Sequence, residues 1–174
     1  MDLRIINFNT PDKKYITERT SLICKTIGIL FLVLLIINKY YYKTFNLIDK
    51  LINYISFLCL FLIFFYCFIN FNAKNLTYVH YFTVLFIWVP LLFCKNPSIL
   101  MFYMFYIIVI LIGWTLNNGI CMLGELSWDY KINEKKYEGN NELDSPWRGL
   151  TLIGMIIILF IKIIYYTYLN KNSK

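Results

Sequence analysis

Apolar and polar positions do not alternate along this chain; they separate into blocks. Five apolar runs stand out: 21–38 (SLICKTIGILFLVLLIIN), 51–71 (LINYISFLCLFLIFFYCFINF), 77–94 (TYVHYFTVLFIWVPLLFC), 97–116 (PSILMFYMFYIIVILIGWTL) and 146–168 (PWRGLTLIGMIIILFIKIIYYTY). Each is near the ~20 residues a helix needs to cross a hydrocarbon core about 30 Å thick. With no water to satisfy a bare backbone, such runs are read as helices. The pattern therefore predicts an all-α integral membrane protein of five transmembrane helices.

The polar residues at the edges of these runs say where helices begin and bend. In KNPS, Asn96 suits the cap position and Pro97 the first turn, where its missing N–H has no intrahelical partner to lose. The third and fourth spans should then form an antiparallel hairpin. Asp144 or Ser145 followed by Pro146 repeats this grammar before the fifth span, which Trp147, Tyr165, Tyr166 and Tyr168 bracket as interfacial aromatics. Pro90, inside the third span, predicts a kink. Lys25 and Lys162 are expected to run their stems along the helix toward the nearer membrane surface.

Beyond the spans, residues 1–20 read as a polar tail, in which TPDKKYITER suits a short helix, and 169–174 as a second tail. No cleavable leader is read at the start, and the first run is expected to act as an uncleaved anchor. Residues 132–145 are polar, of mixed charge and rich in turn formers, and read as a solvated loop.

The stretch 113–131 (GWTLNNGICMLGELSWDYK) asks for more. A helix running unbroken from Pro97 to Tyr130 would be about 50 Å long at 1.5 Å per residue, beyond the hydrocarbon thickness. The NNG triplet is the natural break. After it, Leu116, Ile120, Leu123, Leu126 and Tyr130 recur on one helical face, and Asn118, Cys121, Glu125 and Asp129 on another. Residues 117–131 are thus predicted to lie as a short amphipathic helix at the membrane surface. A second reading has Asn117, Cys121 and Glu125, four residues apart, as a polar stripe facing the bundle. Cys121 there is a candidate for acylation or thiol chemistry. The acidic neighbours Glu125 and Asp129 disfavour a thiolate. The stretch resembles small multi-pass membrane families in which a tryptophan-ended span leads into a Cys-x-Leu turn, here Trp114, Cys121 and Leu123. The resemblance implies no activity.

His80 is the single histidine and lies near the start of the third span. An ionisable group in a membrane segment is a functional suspect. Beside Tyr78 and Tyr81 it is expected to hydrogen-bond headgroups or tyrosine, and no second catalytic partner is visible within a span. One histidine and no CxxC give no metal-ligand spacing, and no cofactor is expected. Cys24, Cys59, Cys67 and Cys94 lie in or beside apolar runs and read as small buried hydrophobes. Asn75-Leu76-Thr77 matches the glycosylation acceptor but abuts the membrane on the side read as cytoplasmic.

Composition adds two constraints. The chain is 59% hydrophobic and 16% charged, well off the balance of a water-soluble domain. Its net charge of +7 comes from lysines that flank apolar runs, a placement that suits lipid headgroups and argues against nucleic-acid binding. With five spans, ten of the 17 basic residues fall on the N-terminal side, which favours a cytoplasmic N-terminus. The spans 51–71 and 98–116 carry no charged side chain. The function expected is accordingly non-enzymatic: a structural, assembly or partner-binding membrane component that meets the bilayer and other membrane proteins or itself. A small channel or transporter subunit is the alternative. An enzyme using Cys121 and Glu125, or His80, ranks third.

Overall fold

A computed structural model describes residues 13–69, 73–116, 121, 123 and 146–172. Its helices are α1 (Lys13–Tyr41), α2 (Leu47–Phe64), α3 (Ala73–Phe86), α4 (Trp88–Phe93), α5 (Pro97–Leu116) and α6 (Pro146–Asn172). A 3-10 turn, Tyr42–Thr44, leads out of α1, and a π-helical turn, Phe65–Ile69, closes α2. Five segments are long and apolar enough to cross a membrane: Ser21–Thr44, Leu47–Ile69, Asn75–Phe93, Pro97–Leu116 and Gly149–Lys171. This is an all-α membrane protein. The amphipathic helix expected over 117–131 lies outside the described residues except for Cys121 and Leu123.

The burial pattern shows why lipid is the solvent. On α1, Ile23, Ile27, Leu30, Leu34 and Ile37 are buried, at spacings of four, three, four and three that trace one helical face. Ile29, Leu32, Leu35 and Ile36, equally apolar, point outward. α2 goes further, because the N-terminal half of its inward face is mainly polar. Asp49, Asn53 and Ser56 are buried, while Leu51, Leu58 and Phe61 are more than half exposed. In water that arrangement would hide polar groups and expose apolar ones. In a bilayer it follows from backbone and side-chain polar groups having to find partners inside the protein.

α5 lies centrally and packs against α1, α4 and most extensively α6. Its 20 residues give a length of about 30 Å, matching the hydrocarbon core. α6 is peripheral: Met155 and Leu159 are buried against the bundle, whereas Ile153, Ile157, Phe160, Ile161 and Ile164 face outward. The third span is divided at Ile87 into α3 and α4. Pro90 has no N–H to give the Phe86 carbonyl, so the hydrogen-bond ladder skips a rung there.

Asn96 caps α5 as its position suggested, its Oδ1 accepting from the Ser98 amide at 3.0 Å. The start of α2 is fixed by a reciprocal cap. Asn46 Oδ1 accepts from the Asp49 amide (2.9 Å), and Asp49 Oδ2 accepts from the Asn46 amide (3.3 Å).

Candidate functional site

Polar side chains gather at two places inside the bundle. The first lies at the end where the turns 42–46 and 94–96 meet. Beyond capping its own helix, Asp49 uses Oδ1 to accept from the Lys95 amide and the Cys94 thiol, both at 3.2 Å. Asp49 is 2% exposed and Cys94 0%. Burial first, and the Asp49 carboxylate second, push the Cys94 thiol far above the ordinary thiol range. It is therefore a neutral donor and no nucleophile. Asn96 Nδ2 donates to Thr44 Oγ1 at 3.0 Å, a second stitch between the two turns.

Lys162 completes this end. Its Nζ donates to the carbonyl of Leu91 at 2.7 Å and of Pro90 at 3.4 Å. The ammonium, expected to run toward the nearer membrane surface, caps the C-terminus of α4, bonding carbonyls that lie next to the Phe93 end of the third span. The geometry explains why. In a continuing helix the Lys95 amide would bond the Leu91 carbonyl four residues back. Asp49 has taken that amide, and Lys162 supplies the donor that Leu91 lacks. A negative and a positive side chain from two other spans thus replace one backbone hydrogen bond. The cation also complements the helix dipole.

Between this end and the bundle centre lie two further pairs. Asn38 and Asn53 exchange side-chain amide hydrogen bonds of 2.9 and 2.8 Å, joining α1 to α2. Ser56 Oγ and Tyr103 Oη, 2.6 Å apart, join α2 to α5.

The second polar place is at the opposite end of the spans. His80, on α3, has Nε2 3.7 Å from Cys121 Sγ, and its ring stacks on Tyr81 at 6.0 Å between centroids. His80 Nδ1 and Trp114 Nε1 are buried and have no hydrogen-bond partner among the described residues. Cys121, Leu123 and Trp114 border an apolar crevice of about 310 Å³ between the N-terminal half of α1 and the C-terminal half of α5.

Of the residues singled out from sequence, the structure brings His80 and Cys121 together. Asn117 and Glu125 lie outside the described residues. Sequence reading gave His80 no partner because the thiol is 41 residues away on another segment. Cys59 and Cys67 are buried within the apolar core, whereas Cys94 is a hydrogen-bond donor in a polar cluster. Asp49 was missed altogether, although Asn-x-x-Asp (46–49) has the spacing of a capping box before an apolar run. Among the described residues, no group of histidine, cysteine, aspartate and glutamate is placed to hold a metal ion. Comparison with family models, curated proteins and solved structures finds no match.

Proposed function

We propose that this chain is a non-enzymatic component of a membrane, with a structural, assembly or partner-binding role and its N-terminus on the cytoplasmic side. The observation that carries the reading is how the polar groups inside the spans are used. Asn38 with Asn53, Ser56 with Tyr103, Asp49 with Lys95 and Cys94, and Lys162 with Leu91 all bond across helices. Side chains spent in this way hold spans in register, as polar residues between membrane helices commonly do. A conducting path needs polar groups left to face water or ions.

The outward apolar face of α6 is where lipid, another membrane protein or a second copy would meet the bundle. Ten of 17 basic residues on the N-terminal side support the orientation. The experiment is reconstitution of the full chain into sealed vesicles with ion and small-solute flux recorded. Flux at the level of empty vesicles is expected. Reproducible, saturable flux that scales with protein would overturn the reading in favour of a channel or transporter subunit.

A further inference from the structure

We propose that Cys121 accepts a long acyl chain from an acyl thioester, with His80 taking the thiol proton and the crevice between α1 and α5 holding the chain. Three independent features meet at this point. The first is the pairing of a thiol with an imidazole nitrogen, at 3.7 Å. The second is the crevice that begins at Cys121. It follows α1 from Leu22 to Leu30 and α5 from Leu116 back to Tyr106, about 12–15 Å of helix by the 1.5 Å rise. It therefore descends from the end of the spans toward mid-bilayer, parallel to the direction in which lipid chains lie. Its volume of about 310 Å³ is that of a small ligand site, and its walls are almost wholly apolar. The third is Trp114, which lines the crevice and whose buried indole N–H has no acceptor among the described residues. A thioester carbonyl is an acceptor of the kind that group lacks.

The chemistry balances without an oxidant or metal. Cys121 Sγ gives its proton to His80 Nε2 and attacks the acyl carbonyl carbon. The new Sγ–C bond forms as the donor's C–S bond breaks, and the departing thiolate recovers the proton from the imidazolium. This requires the neutral histidine with its proton on Nδ1, the tautomer in which Nε2 accepts. The acidic residues near Cys121 in sequence disfavour a standing thiolate, and an adjacent base removes the need for one. Each chain reacts once, so the step is a modification of the protein rather than turnover.

The test uses the full chain in vesicles incubated with palmitoyl-coenzyme A and followed by intact mass. One acyl group per chain is expected, released by neutral hydroxylamine, absent in Cys121→Ser and retained in Cys24→Ser. His80→Phe keeps the ring contact with Tyr81 and should slow the transfer at least about a hundredfold, the lower end for loss of a general base. Filling the crevice by Gly113→Leu, where an added Cβ meets nothing within 4 Å, should slow palmitoyl but not acetyl transfer. Should either variant fail to insert, the preference of the unaltered protein for palmitoyl over acetyl donor decides. No acyl group on the unaltered protein, equal label in Cys121→Ser, an unchanged rate in His80→Phe, or no preference for the long chain would each overturn the proposal.

Discussion

Replacing Asp49 by alanine should loosen the end of the bundle where the turns 42–46 and 94–96 meet. The carboxylate serves three donors: the Asn46 amide, the Lys95 amide and the Cys94 thiol. Asn46 and Lys95 are both exposed, so water can partly replace their bonds, and a thiol is a weak donor. What is lost is mainly hydrogen bonding to a carboxylate that is itself 2% exposed, about 2 kcal/mol on the scale of hydrogen bonds to charged groups. For a chain of this size that corresponds to a fall in Tm of about 4–8 °C. Lys162→Met removes the donor from Leu91 and should cost roughly 1–2 kcal/mol. The informative variant is the double one. With both charges gone, the Lys95 amide and the Leu91 carbonyl are free to make the backbone bond they gave up. The double variant should then be more stable than the sum of the single losses by about 1 kcal/mol or more, where independent sites add within ~0.5 kcal/mol. Thermal unfolding in detergent, read by a thiol-reactive fluorophore, suits the measurement because Cys59, Cys67 and Cys94 are buried. Strict additivity would refute the exchange of bonds at the end of α4.

Other expectations follow from the same contacts. Asn38→Leu alone should destabilise by ~1 kcal/mol, since it strands the Asn53 amide, while Asn38→Leu with Asn53→Leu should recover most of that loss on the same melt. The raised Cys94 thiol sets a pH dependence. Because the folded protein holds this proton more tightly, its contribution is intact below the ordinary thiol pKa of about 8.5 and is lost as pH rises above it. Tm should therefore fall less steeply between pH 8 and 10 in Cys94→Ala than in the parent, and parallel slopes would contradict the assignment. Pro90→Ala restores a donor for the Phe86 carbonyl and should join α3 to α4, seen as slower amide exchange than in the parent at the residues on either side of position 90. Exchange there no slower than in the parent would count against proline as the cause of the break.

The spans were legible because hydrocarbon imposes one demand, a long apolar helix, and the sequence meets it five times. The Asn96–Pro97 start of α5 and the break before Pro90 were legible for a similar reason. Each depends on the covalent chemistry of one residue and its immediate neighbours. Side-chain destinations were not. Lys162 reads as a lysine reaching for the surface, and its bond to the Leu91 carbonyl is invisible in the sequence. That carbonyl lacks a backbone donor because the chain turns extended at Cys94 and Asp49, from another span, holds the Lys95 amide. The inward turn of Asp49, Asn53 and Ser56 on α2 is likewise invisible in a run whose outward face is just as apolar as a buried core. His80 and Cys121 meet through tertiary placement, which no local spacing encodes.

Five crossings, an odd number, put the termini on opposite faces of the membrane. Tags at each end of the full chain, probed with an impermeant protease on sealed vesicles before and after permeabilisation, test this directly. One tag should be cleaved in intact vesicles and the other only once the membrane is opened. Equal protection of both tags, or equal cleavage of both in intact vesicles, would contradict the five-span fold.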